Sequence, residues 1–301
     1  MALAGSEYCH STKVQCPHCL RQPDPPGRVH YAHKIVGATV VRAGSHQVVP
    51  LAGEEVRNAP GESTPQDCEL TAGTRLLTRG RQEQPQMAQS VIGDDRYSQV
   101  PFVEQLQQLR QHYVLGAKPT SQPTLLTAGA AAEGTEQSQT GQWIAGSGAR
   151  QRTYTSRLVR QVPLALESPV RVTSVEVWEH GASGHLLSHH SGITDLDGDA
   201  TNVAVVVQIG RTRWQIEHEQ FNVPNNHGSE LTHHYGHGQQ TLSLGFSLLN
   251  LLASVAHVVL ALGDRLSQRC RAQESRRELW HALRVLVNAF LVESWQYLLQ
   301  I

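Results

Sequence analysis

The order of apolar segments in the first 118 residues constrains the fold most. Alternating or β-branched apolar runs predict five strands, and the last two strands are each preceded by a helical pattern. The expected elements are strands over 1–9, 29–41, 46–52, 87–94 and 112–118, with helices over 67–84 and 101–111. Pro65 and Pro85 flank the first helix, as is typical where proline bounds a helical pattern. The chain therefore begins strand, strand, strand, helix, strand, helix, strand.

This order is that of a ribonuclease H-like core, so we predict an α/β fold with a mixed sheet, a β-rich insertion and a C-terminal helical layer. The predicted organisation is 1–118 for the first part of the core with its Cys-x-x-Cys loop, 119–200 for the insertion, 201–238 for a core helix with a His-rich turn, and 239–301 for the C-terminal helices. Within the insertion, 127–142 has few large apolar residues and predicts a loop, whereas 152–166 and 170–180 alternate and predict strands.

Charge and cysteine content bound the class of protein. The net charge is -1 and the pI is near 7.0, so no overall basic field indicates nucleic acid. Five irregularly spaced cysteines argue against a disulfide framework and for a reducing, cytoplasmic compartment. The start MALAGSEYCHS lacks the features of a signal peptide. The apolar run 242–262 is interrupted by polar residues, so we predict a buried core helix and no membrane contact.

A helix is predicted over 201–222, which contains the segment RTRWQIEHEQFN. Three of its apolar side chains fall at helical spacing and should form a buried face: Val207, Trp214 and Phe221. Glu217 lies at the edge of this face, four residues after Arg213. A carboxylate in that position either pairs with the arginine or binds a cation.

Acidic residues at the ends of predicted elements are candidate metal ligands. Two-metal phosphoryl transfer needs carboxylates from separate elements that converge on two Mg²⁺ ions roughly 4 Å apart. A ribonuclease H-like core supplies them from its first strand, from the end of its fourth strand and from a later helix. The fourth-strand position holds Asp94, with Asp95 beside it, and the helix position holds Glu217. The first-strand segment LAGSEY offers Ala4 and no aspartate.

Each of these acids also has an ordinary interpretation. An acid after a short strand is usually a loop cap, so the pattern alone is a weak indication of a metal site. Lys118 follows the fifth predicted strand and is placed to contact a phosphate near Asp94.

Several motifs, spread over essentially the whole chain, are specific in combination. They are LAGSEY, QCPHCL, the DCE of the first helix, VIGDDRY followed by PFVEQL, RWQIEHEQFN, and HHYGHGQQTLS with its Leu-rich helix. Together they make the chain resemble the DDE-class transposases of bacterial insertion sequences. The resemblance implies Mg²⁺- or Mn²⁺-dependent cleavage and strand transfer of DNA at element ends. It also implies DNA as the partner, with a second copy or an intact transposase as a further partner.

The resemblance assigns roles residue by residue. The first catalytic aspartate maps onto Ala4, the second onto Asp94, with Asp95 the alternative if the register slips by one. The catalytic glutamate maps onto Glu217, and the arginine that precedes it onto Arg213. Losing one of three metal carboxylates removes a bridging anion and deprives the attacking oxygen of its activating ion.

Further departures from the family pattern shape the expected function. The lysine that usually follows the glutamate is replaced by Pro224 and Asn225, and the chain begins without the family's N-terminal helical region. Glu7 is three residues from Ala4 along the strand, so it should face the opposite side. We therefore expect a truncated, degenerate transposase with impaired chemistry. The alternative is a non-catalytic remnant that binds DNA or inhibits an intact transposase.

The thiols suggest a second site. Cys16 and Cys19 have the spacing of half a zinc site, and six residues could complete it: Cys9, His10, His18, His30, His33 and Cys68. The set Cys16, Cys19, His33 and Cys68 is favoured because its members lie in the family-like motifs. Two free thiols in a surface hairpin are the alternative. A redox role is disfavoured, since no helix start follows the motif.

Overall fold

The protein has a mixed α/β fold in which one ten-stranded, mostly antiparallel sheet carries helices. The computed structural model describes residues 1–301 except 25–26, 46, 59–65, 88–89, 133, 198–201, 218–240 and 300–301. The strands are β1 Ala2–Ser11, β2 Leu20–Asp24, β3 Arg28–Val40, β4 Val49–Val56, β5 Ser90–Gly93, β6 His112–Gly116, β7 Ser138–Ala145, β8 Arg152–Pro163, β9 Arg171–His180 and β10 Leu186–Thr194. The helices are α1 Glu69–Glu83, α2 Val100–Gln108, α3 Pro123–Ala131, α4 Val203–Arg211, α5 Leu242–Gly263, α6 Arg265–Gln273, α7 Arg276–Ala289 and α8 Trp295–Leu298.

The strand order of the sheet is β2-β3-β1-β5-β6-β10-β9-β8-β7, and β4 also pairs with β3. The long strand β3 pairs with β2 through its first half and with β4 through its second half. Strands β1 and β5 are parallel, as are β5 and β6, and the other pairs are antiparallel. Because parallel neighbours need a crossover connection, α1 and α2 precede β5 and β6.

Alternation along β1 divides the interior into two layers. Leu3 belongs to a large apolar cluster with residues of α1 and α2, whereas Ala2 and Ala4 belong to a second cluster. That second cluster includes Ile216 and Leu251, which lie after α4 and in α5. Successive strand residues face opposite sides of the sheet. Helices α1 and α2 therefore cover one face, and the segment after α4 covers the other face together with α5.

The insertion extends the core sheet. Strands β7 to β10 form an antiparallel meander, and β10 joins β6 through the pair Gly192 and Gly116. A Cβ atom on Gly192 would lie 2.7 Å from the Leu115 carbonyl oxygen, so the close approach of the two strands requires glycine there. The seam between core and insertion is therefore a continuous hydrogen-bonded ladder.

The elements of the first 118 residues were predicted with shifted bounds and one omission. Strand β2 was missed because the segment QPDPPG predicts a break. Pro23 lies within β2, which is an edge strand, where a missing N–H donor is tolerated. Strand β4 covers Val49–Val56, so the strand predicted over 46–52 was placed three to four residues too early.

The predicted loop over 127–142 was also wrong. Most of this stretch forms the end of α3 and the start of β7, and β10 was not predicted at all. Helix α3 is rich in alanine, which favours helix without contributing large apolar side chains. Strand β7 is an edge strand with no buried residue and with half of its eight residues exposed, and its Trp143 stacks on Tyr154 of β8 at 5.0 Å.

The predicted helix over 201–222 is interrupted. Helix α4 ends at Arg211, and the amides of Arg213, Gln215 and Ile216 then bond to carbonyls three residues earlier. Such tighter turns advance the side chains faster than an α-helix, which shifts the buried face. Ile216 is fully buried and Trp214 is 44% exposed, so the expected burial of Trp214 was wrong. Phe221 lies outside the described residues, as do Pro224, Asn225 and the His-rich turn.

The C-terminal helices are present, but α5 is not the buried core helix that was predicted. Ser247 and Leu251 are its buried residues, and one face contacts β4 and β1 while several leucines and valines are exposed. Among the described residues, α5 is the one helix whose length and apolar composition would suffice to cross a membrane, a test that core helices of soluble proteins also meet. One of its polar residues, Ser247, is buried while many of its leucines are exposed, so polarity along the sequence did not distinguish the covered face from the exposed one.

Candidate functional site

The charged residues predicted for the site surround one cavity. It has a volume of about 640 Å³ and lies at the carboxyl ends of β5 and β6, between β10 and α4. Five predicted site residues line it: Asp94, Asp95, Lys118, Arg213 and Glu217. The structure thus brings together groups that are up to 123 residues apart in the chain, counted from Asp94 to Glu217.

The pair Asp94 and Asp95 begins the turn that follows β5. The Arg96 amide donates to Asp94 Oδ1 at 3.0 Å, and the Tyr97 amide donates to the Asp94 carbonyl at 3.2 Å. Asp95 Oδ1 lies 3.0 Å from Lys118 Nζ. Partial burial opposes ionisation of Asp95, but the hydrogen bond and charge of Lys118 outweigh it and lower the pKa of this carboxyl. Asp95 is therefore held as an anion by Lys118.

Glu217 lies at the opposite side of the cavity, at the end of the described part of that segment. Arg213, one turn earlier, donates to its Oε1 in an i,i+4 ion pair. The Glu217 side chain is 54% exposed, so the pair is solvated and adds little to stability. The sequence left two roles for Glu217, an ion pair with Arg213 or a cation ligand. The structure contains the ion pair, which uses Oε1 of Glu217 and leaves Oε2 for a cation.

Ala4 lies on β1, next to β5, and presents only a methyl group; it is not among the residues that line the cavity. In the parallel pairing of β1 with β5, Ala2 is opposite Ile92, and Ala4 and Asp94 each lie two residues further along, Asp94 directly after the end of β5. Ala4 is 7% exposed and packs in the apolar cluster that contains Ile92 and Ile216. Each of these isoleucines is a near neighbour in sequence of a site acid. Ala4 therefore packs with the sequence neighbours of both acids.

Glu7 does not compensate for Ala4. Its Oε1 lies 3.3 Å from His10 Nδ1 and 3.4 Å from His30 Nε2, in a partly exposed group on β1 and β3. It is not among the residues that line the cavity.

Two histidines in the cavity wall were missed by the sequence reasoning. His189 and His190 lie on β10, and His189 stacks on Trp178 at 5.0 Å while its Nε2 lies 3.3 Å from Glu176 Oε1. Burial, with the nearby Arg211 charge, lowers the pKa of His190. The adjacent pair His-His was visible in the sequence, but without β10 nothing placed it near the acids.

The second site is a thiol–imidazole cluster formed by Cys16, Cys19 and His33. The two Sγ atoms are 3.6 Å apart, and His33 Nε2 lies 3.5 Å from Cys16 Sγ and 3.4 Å from Cys19 Sγ. His33 is 4% exposed. Its other nitrogen, Nδ1, lies 3.2 Å from Glu55 Oε1.

The structure does not bring Cys68 to this cluster. Cys68 is an exposed residue at the N-cap of α1, and its Sγ lies 3.3 Å from Thr71 Oγ1. Glu69, the next residue, approaches Lys34 at 4.0 Å. Since His33 and Lys34 are successive strand residues, they face opposite sides of the sheet, and Cys68 starts a helix on the Lys34 side.

The electrostatics of the cluster reflect burial. Burial, together with interactions with Cys16, raises the pKa of the Cys19 thiol to about 12. For Glu55 burial acts in the same direction, but hydrogen bonds from His33 and from the Tyr8 hydroxyl, the latter at 2.9 Å, lower its pKa overall. A partly buried anion is therefore fixed behind the imidazole.

Chemically, the cavity offers carboxylates and cations, whereas the cluster offers soft ligands. Hard carboxylate oxygens suit Mg²⁺ or Mn²⁺, and thiolate with imidazole suits zinc. No protein-family model and no curated protein matches the sequence. The class of protein is therefore inferred from its residues and their geometry.

Proposed function

We propose that this chain is a ribonuclease H-like core of the DDE transposase class whose metal centre is incomplete. The sub-order β4-β3-β1-β5-β6, with β1, β5 and β6 parallel and the other pairs antiparallel, supports that fold. So do α1 and α2, which occupy the two crossovers.

The main support for the proposal is that Ala4, Asp94 and Glu217 belong to elements that meet at the edge of the sheet where β5 and β6 end. Asp94 and Glu217 line the same cavity, and Ala4 is two residues beyond Ala2, whose partner Ile92 is two residues before Asp94. Convergence of a first strand, a later parallel strand and a distant helix on one point is what a two-ion phosphoryl-transfer centre requires.

The donor set does not fit a complete two-ion centre. Two carboxylates are present where the resemblance implies three, and the Ala4 position is apolar and buried. Asp95 is engaged by Lys118. We infer that the chain descends from a strand-transferring enzyme and has lost efficient cleavage.

Strand cleavage tests this directly. DNA that carries the ends of the element that encodes the chain is incubated with Mg²⁺ or Mn²⁺ and with the native chain, Ala4→Asp or Ala4→Asn. We expect cleavage with Ala4→Asp alone, because only that variant restores an anionic ligand. Ala4→Asn is nearly isosteric and controls for packing. Adding Glu217→Gln to Ala4→Asp should abolish the recovered activity. Cleavage by the native chain would refute the incomplete centre.

A second candidate function is a non-catalytic DNA-binding remnant. Lys118 is 70% exposed at the cavity rim, and with Arg213 it places two cations beside the acids. A groove of this kind can hold a phosphate backbone without cutting it, and each phosphate contact makes affinity depend on salt.

Salt-titrated DNA binding tests this second candidate. Replacing Lys118 or Arg213 by methionine should flatten the slope of log affinity against log salt by roughly 0.9 per lost contact with duplex DNA. Lys13→Met is the control, since Lys13 is exposed and does not line the cavity. An unchanged slope in both cavity variants, or no binding at low salt, would exclude the cavity as the DNA site.

A further inference from the structure

We propose that the thiol–imidazole cluster is a structural zinc site, with Cys16, Cys19 and His33 as ligands and Glu55 orienting the histidine. This site does not depend on the proposed function of the cavity. It ties the segment before β2 to the middle of β3 and the end of β4.

The spacing of the ligand atoms supports this assignment. Zinc binds sulfur at about 2.3 Å and imidazole nitrogen at about 2.0–2.1 Å in tetrahedral geometry, which separates two sulfurs by about 3.8 Å and sulfur from nitrogen by about 3.6 Å. The observed separations are 3.6 Å between the two Sγ atoms, and 3.5 and 3.4 Å from these to His33 Nε2. Three edges of a zinc tetrahedron are therefore already in place.

The local chain is folded to support thiolates. The Cys16 amide donates to Cys19 Sγ at 3.2 Å, and the Cys19 amide donates to the Cys16 carbonyl at 3.2 Å, which closes a turn between them. Cys19 is 2% exposed, and neither cysteine is in a disulfide. The two sulfurs lie 3.6 Å apart, compared with about 2.05 Å in a disulfide. Strand β2 follows the motif, and redox Cys-x-x-Cys pairs are instead activated by a helix N-terminus.

The second observation is the arrangement behind His33. Zinc-binding histidines donate their other ring N–H to a carboxylate, which fixes the tautomer and the ring orientation. Glu55 Oε1 lies 3.2 Å from His33 Nδ1 and accepts the Tyr8 hydroxyl at 2.9 Å. This arrangement directs the Nε2 lone pair towards the two sulfurs.

Cys9 lies opposite His33 in the strand register, although its sulfur is outside the group of three ligand atoms that lie within 4.8 Å of one another. It is 7% exposed, and the two side chains lie on one face of the sheet. Structural zinc sites are almost always four-coordinate, and Cys9 would give a Cys₃His set after a rotamer change. We assign Cys9 as the fourth ligand.

Metal content and affinity test the site. The full chain, purified without added metal, should contain one zinc per molecule by elemental mass spectrometry. A chelator should lower its melting temperature, and Co²⁺ substitution should give sulfur-to-cobalt charge-transfer absorption. His33→Ala should lose the bound ion. Cys68→Ser is the matched control and should retain it, because Cys68 is an exposed thiol on the other face. Zinc at background level, or equal retention by His33→Ala and Cys68→Ser, would overturn the site.

Conservative variants separate ligation from misfolding. Glu55→Gln keeps the size of the side chain and should weaken zinc binding by about 10–100-fold while the chain still folds in excess zinc. An unchanged affinity would refute the orienting role of Glu55. Cys9→Ser should weaken binding and reduce the charge-transfer intensity by about one third, since one of three sulfurs is lost. Full intensity in that variant would refute Cys9 as a ligand.

Discussion

Restoring a carboxylate at Ala4 should make stability depend on divalent cations. Adjacent strands are about 4.8 Å apart, so the introduced carboxylate would lie roughly 5 Å from that of Asp94. At an effective dielectric constant of about 20, two like charges at this distance repel by about 3 kcal/mol. Ala4→Asp should therefore lower the melting temperature by roughly 5–10 °C in the absence of metal.

A bound cation should reverse that loss. A ligand present at 100 times its dissociation constant stabilises the folded state by about 2.7 kcal/mol, which nearly offsets the repulsion. The assay is thermal unfolding of the native chain and the variant with chelator and with saturating Mg²⁺. Burial and like charge raise the pKa of the introduced carboxyl, so its cost is present at high pH and disappears as the pH falls through that raised pKa.

The control is a second buried carboxylate on the same face of β1. Ala2 is fully buried in the same apolar cluster but is opposite Ile92 rather than an acid. Ala2→Asp should be destabilised and should not recover in Mg²⁺. If Mg²⁺ stabilises both variants equally, or stabilises Ala4→Asp no more than the native chain, the assignment of Ala4 to a lost ligand position is wrong.

Two further predictions concern the sheet seam and the cavity. Gly192→Ala should cost about 1–3 kcal/mol, because its Cβ would meet the Leu115 carbonyl at 2.7 Å, whereas Gly129→Ala in α3 should gain about 0.5–1 kcal/mol, since its nearest contact is 3.9 Å away. Denaturant midpoints that shift in the same direction would contradict this. Lys118→Met should raise the pKa of Asp95 towards its ordinary value, as followed by carboxyl NMR titration, and should change stability by less than about 1 kcal/mol because the lysine is exposed. Since the lowered pKa contributes stability that is lost as the pH falls through it, the native chain should lose more stability on acidification than the variant, and equal losses would refute the coupling.

The first half of the fold could be predicted because its strands and helices are long and periodic. Residues of β1 and β3 alternate or are β-branched, and α1 is bounded by prolines, so local pattern and final structure agree. The exceptions have local causes. Strand β2 contains Pro23, which is acceptable only because no strand pairs with its outer edge. Whether a strand lies at the edge of a sheet depends on the tertiary structure and cannot be read from the local sequence.

The second half was less predictable for related reasons. Strand β10 has mixed polarity, since its residues face a cavity on one side, and its histidines interrupt any apolar alternation. The error in the predicted burial of Trp214 arose from i→i+3 hydrogen bonds donated by the amides of Arg213, Gln215 and Ile216. No residue type in that segment predicts these tighter turns. Long-range pairing with β6 and burial under the neighbouring strands determine these elements.

The residues of the two sites differ in how far their positions could be predicted from the sequence. Asp94, Asp95 and Lys118 could be expected to lie together once β5 and β6 were predicted as parallel strands, because the carboxyl ends of parallel strands meet at one edge of a sheet. The Cys16 and Cys19 spacing likewise identified half of the cluster. Cys68 was favoured as a ligand because it lies in a motif. It begins a helix on the Lys34 side of the sheet, whereas His33 faces the other side, because successive residues of a strand alternate between the two faces. Cys9 and Glu55 could be recognised only from register and contacts.

The two sites should respond in opposite ways to the loss of a ligand. Removing a carboxylate from the Ala4 position relieves repulsion with Asp94 and leaves a methyl group in an apolar cluster, so the fold gains stability as the chemistry is lost. Removing a zinc ligand instead costs folding free energy, since metal binding is coupled to folding. A chain with Ala4 and an intact Cys16, Cys19 and His33 cluster would therefore remain folded and would keep Lys118 and Arg213 beside the cavity. That combination is what the proposed non-catalytic DNA-binding or inhibitory role requires.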